Sequence, residues 1–388
     1  MRERQKKYLV ILGDGMADEA LAALGGKTPL EYAETPNMDR IAREGTMGLA
    51  RTIPEGFEAG SDIANLGILG YDPRSCYTGR GPLEAASMGL EMAPGDIAYR
   101  CNLVTVVDGR MADFSAGHIS SGEGASLFAS LSEHLPDISL SPGISYRNIL
   151  VVHGGGGATT CPPHDIVGEL IEPYLPSGRD AGILRECMEK SREVFADHPV
   201  NRARISAQKS PATQIWPWSG GKKPMLIPFR TLFGREAGII SAVDLLQGIG
   251  RLAGMEVIRV PGATGYLDTD YQAKASSALE ALEHLDFVYV HVEAPDEAGH
   301  LGNVCEKVKA IERVDELIGT VMEEFSGIIA VLPDHPTPIR IKTHTSDPVP
   351  FAIWGKGRDA TTSFSEKEGS RGGYGVIDAP RFLPLLFS

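Results

Sequence analysis

Apolar residues in this chain gather into short unbroken runs, each closed by Gly, Asp or His. The clearest runs are residues 7–12 (KYLVIL), 149–152, 286–292 (DFVYVHV) and 327–332 (GIIAVL). Apolar runs of this length predict strands buried on both faces, and so a parallel sheet covered by helices. Segments with helical spacing lie between them. Thr35-Pro36 predicts an N-cap followed by proline at the first helical position, and Gly45 a stop. Further helices are predicted over 241–252, before Gly254, and over 269–285 and 305–325. In the last of these, Val308, Ile311, Val314, Ile318 and Val321 recur at three- and four-residue steps. Strands alternating with helices make this α/β architecture, with a mainly parallel sheet sandwiched by helices.

The pattern changes in the middle of the chain. Short strands, frequent Pro and Gly, and one helix from about 122 to 135 predict an inserted smaller α+β domain over 101–204. Residues 1–100 and 205–388 are then one discontinuous domain.

Composition narrows the function. Apolar residues make up 42% and charged residues 23%, as in an ordinary globular protein. The net charge of −14 sets a mean field that repels phosphate, which argues against nucleic acid and anionic membrane as partners. An anionic substrate would need that field reversed locally, by metal ions or clustered cations. The five cysteines are scattered and never spaced C-x-x-C, which suits a reducing cytoplasm. A basic start (Arg2, Arg4, Lys6, Lys7) precedes an apolar run too short for a secretion signal. No apolar stretch is long enough to span a membrane. There is no P-loop, no strand–G-x-G-x-x-G–helix unit, no G-x-S-x-G and no H-E-x-x-H. No organic cofactor is therefore expected, and the oligomeric state stays open.

Candidate chemistry lies where the predicted strands end. The first strand leads to Asp14, the strand 286–292 leads to Asp296 and His300, and the strand 327–332 leads to Asp334 and His335, with His344 nine residues beyond. In a parallel sheet the carboxyl ends of the strands share one edge, where ligands bind. Asp296 and His300, four apart, face the same way on a helical turn. Three carboxylates and three imidazoles suffice for two divalent ions of the Mn, Zn or Mg kind. Ser61, flanked by Gly60 ahead of an apolar stretch, reads either as a nucleophilic hydroxyl or as a helix N-cap.

In this order, Asp14, Ser61, Asp296, His300, Asp334-His335 and His344 resemble the alkaline phosphatase superfamily. More narrowly they resemble its archaeal-type cofactor-independent phosphoglycerate mutases. The supporting stretches are LGDGMAD (12–18), TPNMDRIAREG (35–45), GSDIANLGILGYDP (60–73), TGRGPLEAASMG (78–89), VPGATGYLDTDYQAKA (260–275), VHVEAPDEAGHLG (290–302) and DHPTPIRIKTHTSDPVPF (334–351). The resemblance implies an alkaline-phosphatase-like fold and two-metal phosphoryl transfer through a phosphoserine at Ser61, interconverting 3- and 2-phosphoglycerate. It implies one metal on Asp14, Ser61, Asp334 and His335, and the other on Asp296, His300 and His344. It places substrate binding in the insert, on Ser115–His118, on Tyr146 and Arg147, and on Pro163, His164 and Asp165. Two stretches, 213–219 (TQIWPWS) and 332–338 (LPDHPTP), depart from the mutase pattern and resemble a bacterial branch with proposed homoserine kinase activity. That branch gives the alternative product, O-phosphohomoserine.

Overall fold

The computed structural model describes residues 6–388; Arg2 and Arg4 of the basic start lie outside the described residues. The chain forms two compact units. The first comprises the residues up to Tyr77 together with Leu226–Ser388, and the second is Thr78–Met225.

The first unit is built on an eight-stranded sheet. In spatial order its strands are Glu256–Ile258, Ala237–Ile240, Phe287–Val292, Tyr8–Gly13, Ile328–Leu332, Val349–Trp354, Thr46–Arg51 and Val376–Asp378. Only Val349–Trp354 runs against the rest. The central strands are buried along their whole length, as their unbroken apolar runs predict. Leu9, Ile11, Val288, Val290, Ile329 and Val331 face one core. The helices Pro36–Glu44, Tyr271–His284 and Val304–Glu324 cover that face through Met38, Ile41, Ala278, Ile311, Val314 and Ile318. On the other face Gly250, in the helix Asp244–Leu252, lies so close to Ile239 that a Cβ there would come within 2.4 Å of it.

Asp270 and Asn303 cap their helices, their side chains accepting from Ala273 and Glu306 N–H. The expected cap at Thr35 is absent. Its side chain makes no cap bond, and the Asp315 carboxylate of the helix Val304–Glu324 accepts the N–H groups of Asn37 and Met38 at 3.2 and 2.7 Å. A distant carboxylate, close only in the folded chain, displaces the local hydroxyl.

The second unit has its own antiparallel sheet. Ile97–Val107 is its spine, paired with Arg147–Val152 and Arg110–Asp113 along one edge and Gln214–Gly221 along the other; Ile138–Ser141 pairs with Arg147–Val152. The helices Ser121–Ser132 and Ala181–Ala196 pack Phe128, Leu131, Leu184 and Phe195 into a core with Tyr99, Leu103 and Trp216. This unit is wider than the expected 101–204. That boundary would cut the Ile97–Val107 strand and omit its partner Gln214–Gly221. The helix Arg80–Ser87 belongs to it too, because Gly81 packs directly on the Ala98 carbonyl.

Candidate active site

In the first unit the strand exits converge as their parallel direction requires. Asp14 follows Tyr8–Gly13, and its N–H donates to the Val292 carbonyl at 2.9 Å, extending the parallel ladder. Asp334 and His335 follow Ile328–Leu332. Asp296 lies on the helix Ala294–Leu301, which begins two residues after Phe287–Val292. The chain turns after Asp14 at Gly15, whose φ of +61° suits glycine, and a Cβ there would sit 2.6 Å from Asp296 Oδ1 and from Thr337 Oγ1. Lys307, wholly buried, donates to Asp18 Oδ2 at 2.8 Å and to the carbonyls of Ala17 and Thr337 at 3.2 and 2.8 Å, tying the two strand-exit loops together.

Ser61 opens the helix Ser61–Ile68. Gly60 is its N-cap, and the Ser61 side chain makes no cap bond, which removes the capping alternative. Ser61 Oγ instead lies 3.1 Å from His335 Nε2 and 3.4 Å from Asp14 Oδ2. All the residues expected at the metals therefore meet. Asp14, Asp334 and His335 form one group of mutually close ligand atoms, and Asp296, His335 and His344 another. His300 joins the second, with Nε2 3.2 Å from Asp296 Oδ2 and 2.9 Å from His344 Nε2.

The protonation pattern is that of a cation centre. His300 Nδ1 lies 3.0 Å from the Lys342 carbonyl, and His344 Nδ1 lies 3.2 Å from the Ala59 carbonyl. A carbonyl only accepts, so each Nδ1 carries a proton and each Nε2 is turned toward the other and toward Asp296. Thr337 donates to Asp296 and lies 3.3 Å from His335 Nδ1, which turns His335 Nε2 inward as well. Metal-binding histidines are typically anchored in this way through the second ring nitrogen. Two imidazole nitrogens 2.9 Å apart repel unless a cation, a proton or a metal ion, lies between them.

The carboxylates agree. Burial raises the Asp14 pKa well above its ordinary value, and the charges of Asp334, Glu293 and Asp296 add to this. Asp14 Oδ1 is buried and accepts no hydrogen bond. Burial, then Asp296, lifts Glu293 to about 8. Burial works upward on Asp296 too, but hydrogen bonds from His300 and His344 hold it well below the usual range. The hydrogen bond to Asp296 lifts His300 to about 9. So many anions in one dry site favour divalent cations bound by oxygen and imidazole. The donor set fits them.

Sequence reasoning passed over four residues here. Asn65 donates to Asp334 Oδ2 and to the Ser61 carbonyl, both at 2.9 Å, and Tyr289 donates to Asn65 Oδ1 at 2.5 Å. His291 Nε2 lies 3.0 Å from Asp14 Oδ2. Glu293 forms a third close group with Asp14 and His291. Tyr289 and His291 sit inside an apolar strand run and read as core. The one available signal was a histidine in a strand buried on both faces, which needs a polar partner.

In the second unit His118, Arg147, His164 and Asp165 border a row of rings. The His118 ring lies 6.1 Å from Tyr146, Tyr146 5.7 Å from Phe114, Phe114 6.1 Å from His164, and His164 5.2 Å from Trp218. Arg147 lies over Tyr146 at 5.6 Å, and Asp165 sits 3.6 Å from His164 Nε2. Asp113 shapes the loop leading to His118 by accepting from Ser115 and Gly117. Buried Arg204 holds the same loop through the Ala116 and Gly117 carbonyls. Two cations were not foreseen. The Arg100 guanidinium lies 4.3 Å over the Trp218 ring and 3.1 Å from Glu84. Arg80 and Arg147 are near enough for their charges to act on Arg100, and Arg80 and Arg100 act on His164.

The first unit thus presents candidate ligands for divalent cations at the carboxyl edge of an α/β sheet, and the second a cationic, ring-backed cluster. A family profile described as 2,3-bisphosphoglycerate-independent phosphoglycerate mutase matches residues 42–201. A mutase of that name from Methanothrix thermoacetophila is 52% identical, over 98% of this chain and all of its own. A Pyrococcus horikoshii protein of known structure is 33% identical with a TM-score of 0.86, over 98% of this chain and 96% of its own. A cofactor-independent phosphoglycerate mutase from Thermoplasma acidophilum is 27% identical with a TM-score of 0.68, over 98% of each chain. The chain belongs to the 2,3-bisphosphoglycerate-independent phosphoglycerate mutase family.

Proposed function

We propose that this protein interconverts 3-phosphoglycerate and 2-phosphoglycerate, a step of glycolysis and gluconeogenesis, through a phosphoserine at Ser61 and without bisphosphoglycerate. The observation that supports this most is the place of Ser61: a hydroxyl freed from capping, at a helix N-terminus, facing Asp14 and His335. Asp14, Ser61, Asp334 and His335 would hold one divalent ion, and Asp296, His300 and His344 a second, with manganese the first to test. Bound there, the ions would lower the pKa of the serine hydroxyl and neutralise phosphoryl oxygens in transit.

The residues of the chain do the rest. Ser61 Oγ gives up its proton and attacks phosphorus, and the glycerate oxygen leaves with the bond pair and takes up that proton. The other glycerate hydroxyl then gives up its own proton, attacks the phosphoserine and frees Ser61, whose oxygen takes that proton with the bond pair. The first N–H groups of the helix Ser61–Ile68 lack intrahelical acceptors and suit phosphoryl oxygens. Asn65 holds the Ser61 carbonyl and so fixes where the hydroxyl stands. We assign the glycerate to His118, Arg147, His164 and Asp165, joined by Arg80 and Arg100. Guanidinium forks suit its carboxylate, and Asp165 can accept from a hydroxyl.

Among the described residues no helix is long and apolar enough to cross a membrane, and we place the enzyme in the cytoplasm. The test is phosphorus NMR of the Mn²⁺-supplied protein with 3-phosphoglycerate alone. A growing 2-phosphoglycerate signal is expected. No conversion there, with O-phosphohomoserine formed from homoserine and ATP, would replace this reading by the kinase one, which the relatives' names do not favour.

A further inference from the structure

The strand Phe287–Val292 sends Tyr289 and His291 to one face, two residues apart, and both are wholly buried. His291 meets a carboxylate of the proposed cation centre directly, and Tyr289 meets one through Asn65. Ser241 Oγ accepts the Val243 N–H at 3.0 Å and lies 3.3 Å from His291 Nδ1. A metal-binding Asp14 carboxylate only accepts, so His291 Nε2–H donates to Asp14 Oδ2, 3.0 Å away, and Nδ1 accepts from the Ser241 hydroxyl. Tyr289 works through one relay. Its hydroxyl, donated to Asn65 Oδ1, sets which way the Asn65 amide faces, so that Nδ2 meets Asp334 Oδ2.

We propose that Tyr289 and His291 are positioning residues, one strand face acting as a rack that fixes the rotation of the Asp334 and Asp14 carboxylates. A carboxylate turns easily about its last torsion. Held at Oδ2 by His291, Asp14 keeps its unpartnered Oδ1 presented to the cation. Without Tyr289 the Asn65 amide keeps its bonds at Nδ2 but loses the anchor at Oδ1, so it and Asp334 are freer to turn. This inference rests on the reading that Asp14 and Asp334 are metal ligands.

The test compares Tyr289→Phe, His291→Leu and His291→Gln with Asp334→Ala. Mn²⁺ binding is measured by equilibrium dialysis, kcat and KM with 3-phosphoglycerate, and folding by thermal unfolding of the metal-free proteins. Tyr289→Phe deletes a single oxygen and His291→Gln keeps an N–H donor near the Nε2 position. Tyr289→Phe and His291→Leu should bind Mn²⁺ about 10- to 100-fold more weakly, with kcat reduced and KM nearly unchanged. His291→Gln should regain most of the loss. Wild-type Mn²⁺ affinity in Tyr289→Phe, while Asp334→Ala loses metal, overturns the inference and leaves the ligand reading intact. Equal losses in His291→Gln and His291→Leu overturn the hydrogen-bond role of His291. Full metal binding in Asp334→Ala overturns the ligand reading itself. Should His291→Leu fail to fold, Tyr289→Phe decides the matter.

Discussion

In the first unit, Asp14, Glu293, Asp296 and Asp334 lie side by side, largely shielded from solvent, backed by imidazoles whose Nε2 atoms point inward. In the second, Arg80, Arg100 and Arg147 gather beside a row of aromatic rings, with the Arg100 side chain only 12% exposed and Arg147 open to solvent. One cluster has excess negative charge and needs cations to be stable. The other has positive charge already in place and can meet an anion directly. In a chain of net charge −14, we propose that these are two different ways of handling a phosphorylated acid. On that proposal the acidic cluster, with its cations, serves the group that moves, where charge must be neutralised as it shifts, and the arginines serve the parts that are only held.

The contrast is tested hardest at Ser61. Ser61→Ala should reduce turnover by at least about 10³-fold. Stability should change by less than about 0.5 kcal/mol, because Gly60 and not Ser61 occupies the cap position. Rapid quenching with 3-phosphoglycerate followed by mass spectrometry should find phosphate on Ser61 in the wild type. Near-normal turnover in the folded variant would end the phosphoserine route.

Next comes the metal. His300→Ala removes one of the two Nε2 atoms that face each other. Metal analysis should show the divalent ion content falling from two per chain to one, with turnover reduced about 10²-fold or more. Retention of both ions would take His300 out of the ligand set.

The arginines should respond differently. Arg100→Met keeps an apolar stem against Trp218 and removes the charge. KM for 3-phosphoglycerate should rise about 10- to 100-fold, the worth of a charge-assisted hydrogen bond, with Mn²⁺ affinity as in the wild type. A loss of Mn²⁺ instead would mean that the two clusters are not separable in role.

The smallest effect is expected from cutting the chain between the units. Residues 222–228 have no regular structure, Lys222 and Lys223 are exposed, and Met225 is 91% exposed. Trypsin should cut first after Lys222, since the bond after Lys223 precedes proline. The nicked protein should still bind Mn²⁺, because every proposed ligand lies in the first unit. First cuts within Ile97–Val107 would contradict the described unit boundary.

Much of this was legible from the sequence because it depends on short-range rules. Unbroken apolar runs marked the buried strands, three- and four-residue spacing marked the helix Val304–Glu324, and the Asp and His residues just past strand ends marked the cluster proposed to hold cations. The domain edges were less legible. A strand such as Ile97–Val107 gives no sign of how far along the chain its partners lie, and Gln214–Gly221 joins it from more than a hundred residues away. The cap on Pro36–Glu44 failed for a related reason: Asp315 reaches it only in the folded chain.

What the sequence by itself determined is the type of each element and the chemistry held at its end, since both follow from periodicity and from the direction of parallel strands. What only the tertiary structure decided is which polar residues inside the strands have partners. Arg100, Tyr289 and His291 interrupt apolar runs, and a polar group buried on both sides must be paired somewhere. The sequence marks the need but cannot name the partner. Glu84 and the Trp218 ring for Arg100, Asn65 for Tyr289 and Asp14 for His291 are set by sheet order and helix placement, because hydrogen bonds and ring contacts act over a few ångströms while the chain brings those atoms together across tens to hundreds of residues.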